Sequence, residues 1–153
     1  MAYFLHRPAK VHSMNTGAVW IIDDDKDDRD MVIEIWKDLH LPNELVCFSD
    51  AASPITRLKE EQAAPFMIMC DVNLPKIDGF ELREMMLKEP SKKFHSVPFI
   101  FWSTFASEAQ IARAYDLSAH GFFIKEINYS ELKQSFHEII LYWQKSKMPD
   151  KKD

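Results

Sequence analysis

The chain has 153 residues, 46% of them apolar and 28% charged, a balance that suits one globular domain burying roughly 70% of its extended surface and excludes wholesale disorder. Nineteen Lys and Arg against twenty-four Asp and Glu give a formal charge of -5, so no basic stripe is available to hold a nucleic-acid backbone, and direct nucleic-acid binding is not expected. Two cysteines, Cys47 and Cys70, are too few for a disulfide scaffold or a four-ligand zinc site, and they read as buried core residues of a reduced, cytoplasmic protein.

Ala63 to Cys70, with Pro65 inside it, falls far short of the roughly 20 residues of a membrane helix. Arg7 and Pro8 stand where a signal peptide would build its hydrophobic core, so neither export nor membrane insertion is expected. Residues 1–17 hold no sustained period and are expected to form a loose arm without an assigned role. Ala18-Val19-Trp20-Ile21-Ile22 is apolar on both faces and stops at Asp23-Asp24-Asp25, which predicts a central strand of a parallel sheet.

The period then changes. Met31, Val32, Ile35, Trp36 and Leu39 recur at helical spacing before Pro42. Leu45 to Phe48 predicts a second strand, and Ser53-Pro54 places a capping hydroxyl before a first-turn proline, opening a helix towards Glu61. Phe66 to Cys70 predicts a third strand ending at Asp71, followed by a loop through Gly79 and a helix from about Phe80 to Lys88 that Pro90 ends. The stretch from Pro90 to Ser96 reads as a solvated loop.

Val97 to Trp102 predicts the fourth strand, and Ser107 with Gln110 fits a capping box for a helix through Leu117. Gly121 precedes a fifth strand, Phe122 to Ile124. Asn128 with Glu131 opens a last helix whose Leu132, Phe136, Ile139, Ile140 and Trp143 line one face. That face serves either the core or a homodimer interface by its pattern. Lys145 to Asp153 is charged and expected to fray, which leaves one domain over 18–147 and a tail over 148–153.

Five strand-helix units with right-handed crossovers predict an α/β three-layer sandwich around a five-stranded parallel sheet. In such sheets chemistry collects outside the carboxyl ends of the strands, where strand order reverses. Asp23 and Asp24 follow the first strand and Asp71 follows the third. Three carboxylates meeting at one edge repel unless a cation neutralises them, and the hard oxygen donors point to Mg²⁺. Ser103 after the fourth strand and Lys125 after the fifth add a hydroxyl and an ammonium to the same rim, a set able to neutralise a phosphoryl group held on a carboxylate. Asp25, Asp27, Asp28 and Asp30 read as a mainly solvated extension of the acidic run, with one of them either capping the first helix or contacting metal-bound waters.

Over roughly residues 18–143 these dispersed features resemble the receiver domains of two-component response regulators, including the single-domain CheY-like members. The resemblance implies sheet order 2-1-3-4-5, flavodoxin-like. It further implies that Asp71 is the phosphoacceptor and that Asp23 and Asp24 organise Mg²⁺. Asn73, two residues after the acceptor, supplies a backbone carbonyl to the ion. Ser103 is the hydroxyl switch residue, Phe122 the aromatic switch position and Lys125 the active-site lysine. Asp71-Val72-Asn73-Leu74-Pro75-Lys76-Ile77-Asp78-Gly79 resembles the acceptor loop.

The partners implied are a sensor histidine kinase or histidine phosphotransfer protein and a downstream protein reached by association, with the chain as a single-domain regulator. Phosphoryl acceptance and self-dephosphorylation are the implied chemistry. One departure is Glu126, where the family commonly has proline after the lysine. Two other readings share the residues: a receiver-fold interaction module that works without phosphorylation, and a small-phosphate-ester hydrolase. The hydrolase reading is opposed by Asn73, which stands where a second acid/base carboxylate is needed.

Overall fold

The computed structural model describes residues 17–60 and 63–149. The expectations for most of the N-terminal arm, for the end of the second helix at Glu61 and for the last four residues of the tail lie outside the described residues. The apolar runs form five parallel strands: β1 (Val19–Ile22), β2 (Leu45–Phe48), β3 (Met67–Asp71), β4 (Phe99–Ser103) and β5 (Gly121–Ile124). They pair in the order β2-β1-β3-β4-β5, with Ile22 opposite Cys70, Asp71 opposite Trp102 and Ser103 opposite Ile124. Among the described residues six helices connect and flank them: α1 (Lys26–Leu39), α2 (Ala52–Glu60), α3 (Gly79–Lys88), α4 (Lys92–His95), α5 (Glu108–Asp116) and α6 (Tyr129–Lys145).

Alternation along the strands divides the core in two. Val19, Ile21, Met67, Met69, Ile100 and Trp102 turn to the face covered by α1 and α6, where they meet Val32, Ile35, Phe136 and Ile140. Trp20, Ile22, Ile68, Cys70, Phe99 and Phe101 turn to the other face and meet Leu58, Leu82, Met86 and Ala114 from α2, α3 and α5. Burying both faces is why these strands read as continuous apolar runs, each large side chain contributing about 1.5–3 kcal/mol.

Several local expectations hold. Asp25 caps α1 by accepting from the Asp27 amide at 2.9 Å. Ser107 and Gln110 form the capping box of α5, and Asn128 caps α6 by accepting from Ser130 and Glu131. The opening of α2 differs. The acceptor for the Ser53 amide is the Asp50 carboxylate at 2.8 Å, and the helix begins at Ala52. A carboxylate suits the positive end of a helix better than a hydroxyl, and the hydrogen bond from the Ser53 amide holds the Asp50 carboxyl below its usual range.

Three further expectations are corrected, and one left open is decided. The stretch from Pro90 to Ser96 is not simply a solvated loop, because α4 folds there behind its Ser91 cap and anchors Phe94 in the core. Cys47 is half-buried rather than buried, since β2 is an edge strand. Fraying does not begin at Lys145: Ser146 ends α6 by donating to the Tyr142 carbonyl at 3.1 Å, and Met148 packs against the core. Ile139 and Ile140 lie in the core under α6, so they are not available to a dimer face, while Trp143 is half-buried beside His120. No helix among the described residues is long and apolar enough to cross a membrane.

Candidate functional site

The carboxyl ends of β1, β3, β4 and β5 bring together residues from opposite ends of the domain, Asp23 and Lys125 among them. Asp23 follows directly on β1 and has no exposed surface. One of its oxygens accepts from the Asp25 amide at 2.9 Å, and its backbone carbonyl accepts from Arg29 at 2.7 Å, tying the start of α1 to the end of β1. Asp24, next in the chain, is exposed. Asp71 is the last residue of β3 and is buried. Its Oδ1 accepts from the Asn73 amide at 3.0 Å and its Oδ2 accepts from Lys125 Nζ at 2.9 Å.

Lys125 enters from the end of β5, its amide donating to the Ser103 carbonyl at 2.8 Å and its ammonium passing 4.8 Å from the Trp102 ring centre. The ammonium lies 2.7 Å from Asp23 Oδ2, 2.8 Å from Asp28 Oδ2 and 2.9 Å from Asp71 Oδ2. Burial alone would lower its pKa, but close pairing with the three carboxylates outweighs burial and raises it, so Lys125 is charged at neutral pH. Burial dominates at Asp23 instead. It raises that carboxyl to about 6 against the opposing pull of Lys125, and the neighbouring Asp71 charge adds to the rise.

The donor set fits a hard divalent cation. Asp23, Asp24 and Asp71 each offer an oxygen, and these atoms all lie within 4.8 Å of one another. Asp23 Oδ2 has the Lys125 charge beside it but no hydrogen bond of acceptable geometry, which leaves a buried carboxylate oxygen for a metal ligand bond. Asn73 sits two residues beyond Asp71 with its side chain on the exposed rim.

Gly79 is required by the loop that returns from Asp71. A Cβ there would stand 2.3 Å from the Asp71 carbonyl oxygen, and the glycine amide donates to the Val72 carbonyl at 2.9 Å. The close passage of α3 against the end of β3 therefore explains this glycine; positive φ falls instead on Lys76, at 67°. Asp78 caps α3 by accepting from Glu81 at 2.8 Å and takes no part in the carboxylate cluster.

Ser103 is fully buried, and its hydroxyl donates to the Phe105 carbonyl at 2.7 Å. Phe122 is half-buried with its ring 6.2 Å from Phe101, on the core face shared with α3 and α5. Thr104 and Phe105 are exposed over the β4 end. Two contacts escape a reading by motif: Asp28, which reads as solvated but binds Lys125, and Arg29, which holds the Asp23 carbonyl. Both lie in the first turn of α1, and only the four-residue spacing from Asp24 and Asp25 hints at them.

A five-stranded parallel sandwich of order 2-1-3-4-5, with an acidic cluster and a lysine at the carboxyl edge where strand order reverses, defines the CheY-like receiver class of signalling domains. The chain belongs to the response regulator receiver domain family, which matches residues 19–137. It is 30% identical over 95 residues to the probable methanogenesis regulatory protein FilR2 of Methanothrix harundinacea, the match covering 61% of this chain and 60% of that protein. It is 25% identical over 130 residues to the response regulator Rcp1 of Synechocystis, covering 82% and 87% of the two chains. Among solved structures, the phosphorylated cyanobacterial phytochrome response regulator RcpA superposes with a TM-score of 0.78 at 26% identity, covering 88% of this chain and 99% of that one.

Proposed function

We propose that this receiver domain takes a phosphoryl group from a phosphohistidine of a sensor kinase or histidine phosphotransfer protein onto Asp71, and signals by protein association. The observation that carries the reading is the buried Asp71 carboxylate, with Lys125 at 2.9 Å and ligand oxygens of Asp23 and Asp24 within 4.8 Å. An Asp71 oxygen attacks phosphorus as the donor's P–N bond breaks, leaving an acyl phosphate on Asp71 and the electron pair on the departing imidazole.

Asp23, Asp24, Asp71 and the backbone carbonyl of Asn73 would hold Mg²⁺, which supplies neutralisation of charge between the carboxylate and the incoming phosphoryl oxygens. Lys125 pairs with a phosphoryl oxygen once Asp71 is phosphorylated. Ser103 exchanges the Phe105 carbonyl for a phosphoryl oxygen, and Phe122 turns into the space vacated beside it. The consequence is a shift in population at the surface of α5, β5 and α6. Tyr115, Phe123, Ile124 and Ile127 are exposed in those elements and the loop after β5, an apolar surface on which a downstream protein or a second copy of the chain associates. A cytoplasmic site of action follows from the same reading.

The test is intact-protein mass spectrometry after incubation with acetyl phosphate and Mg²⁺, with EDTA and Asp71→Asn controls. The expected result is a labile gain of one phosphoryl group, absent with EDTA and absent in the variant. An equal gain in Asp71→Asn overturns the acceptor assignment. No gain in a folded wild type, with acetyl phosphate or with a phosphohistidine donor, favours an interaction module that works without phosphorylation.

A further inference from the structure

We propose that Asp28, in the first turn of α1, is a positioning residue for Lys125 that keeps the ammonium at the acceptor while its other two carboxylate partners are taken up by metal and phosphoryl group. This rests on the reading of Asp71 as phosphoacceptor. An ammonium has three N–H donors, and around Lys125 stand three carboxylates, at 2.7 Å for Asp23, 2.8 Å for Asp28 and 2.9 Å for Asp71. Asp23 and Asp71 belong to the group whose oxygens converge on a cation position, whereas Asp28 does not. When an Asp71 oxygen forms its bond to phosphorus, that carboxylate loses its negative charge and much of its hold on the lysine. Asp28 is the partner that neither event consumes.

The placement of Asp28 suits such a role. The start of α1 is pinned by the Asp25 cap and by the bond from Arg29 to the Asp23 carbonyl, so Asp28 projects from a rigid element. Lys125, by contrast, has a flexible four-carbon stem. Its backbone is held by the hydrogen bond from its N–H to the Ser103 carbonyl, but the residues that follow, Glu126 and Ile127, are exposed and give the loop little restraint. Fixing the head of such a side chain from across the site is a way to lower the orientation cost of phosphoryl transfer.

Asp28→Ala is expected to accept phosphoryl from acetyl phosphate about tenfold more slowly at saturating donor, with Mg²⁺ affinity within about twofold of wild type, and to add no further loss in a Lys125→Ala background. A wild-type rate in Asp28→Ala, a loss of Mg²⁺ affinity that matches the loss of rate, or an undiminished further loss without Lys125 would overturn the proposal. A second measurement does not depend on phosphorylation. The ¹⁵Nζ ammonium resonance of Lys125, assigned by its disappearance in Lys125→Met, is expected to be protected from exchange in the wild type and lost in a folded Asp28→Ala. Should the wild type accept no phosphoryl group, the acceptor reading falls, and this resonance alone decides whether Asp28 positions the lysine. Its persistence in Asp28→Ala would overturn the assignment.

Discussion

Asp23 shows how much a single buried carboxylate can govern. Its carboxyl is raised to about 6 from 3.8, chiefly by burial, so the folded chain binds that proton more tightly than the unfolded chain does. The group therefore costs nothing below its unfolded pKa, and its penalty grows as pH rises through the window between those values. Asp23→Asn is expected to gain on the wild type by about 2–3 kcal/mol between about pH 3.5 and about pH 7 without divalent cation, read by urea unfolding of both proteins. A gap that does not change with pH would contradict the burial account. Gly79 tests the same edge sterically: Gly79→Ala places a methyl 2.3 Å from the Asp71 carbonyl and is expected to cost about 2–4 kcal/mol. An unshifted urea midpoint would show that α3 can withdraw without penalty.

Between helices, the joint of α3 and α5 depends on Arg83, which is 1% exposed. Its Nε donates to the Leu117 carbonyl at 3.0 Å and its second amino group to the Ser118 carbonyl at 3.1 Å, while the guanidinium centre lies 5.1 Å from the Phe99 ring centre. Burial lowers its pKa to about 10, which still leaves it charged at neutral pH. Those carbonyls end α5, where a cation also meets the negative end of the helix. Arg83→Ala is expected to destabilise the domain by about 2–4 kcal/mol and to leave Mg²⁺ affinity unchanged, because Arg83 touches none of the clustered carboxylates. A parallel loss of affinity, measured by titration at a temperature where the variant is folded, would show that the joint reaches the site.

Strand register joins these local devices into one site. Asp71 stands opposite Trp102 and Ser103 opposite Ile124, so carboxylate, hydroxyl and lysine reach the same edge while both faces of the sheet are sealed by helices. Cation binding to that edge would stabilise the fold by mass action, by about 2.7 kcal/mol at a hundredfold excess over Kd. The wild type is expected to gain thermal stability on adding Mg²⁺, and the Asp23→Asn, Asp24→Asn double variant to gain little; an equal gain in both would place the cation elsewhere. For signalling, Ser103→Ala is expected to retain phosphoryl acceptance while losing most of the phosphorylation-dependent change in partner affinity, measured by binding with and without acetyl phosphate. A wild-type affinity that phosphorylation leaves unchanged would count against the switch.

The strands, most helix boundaries and the caps at Asn128 and Ser107 were legible because each depends on neighbours within a few positions: apolar periodicity, a side-chain acceptor and an orphan amide close in sequence. The resemblance carried by Asp23, Asp24, Asp71, Ser103 and Lys125 supplied the strand order, which periodicity alone does not distinguish. The burial of Phe94 and Met148 was not legible, because an isolated apolar residue in a charged stretch carries no period. Asp28 looked like one more solvated acid until β5 brought Lys125 to it across 97 positions, and Arg83 looked like an ordinary helix cation until α5 ended 34 positions away. Local pattern specifies elements because its forces act within a turn or a strand; ion pairs and buried caps between distant segments form only once packing has removed water and set their distances.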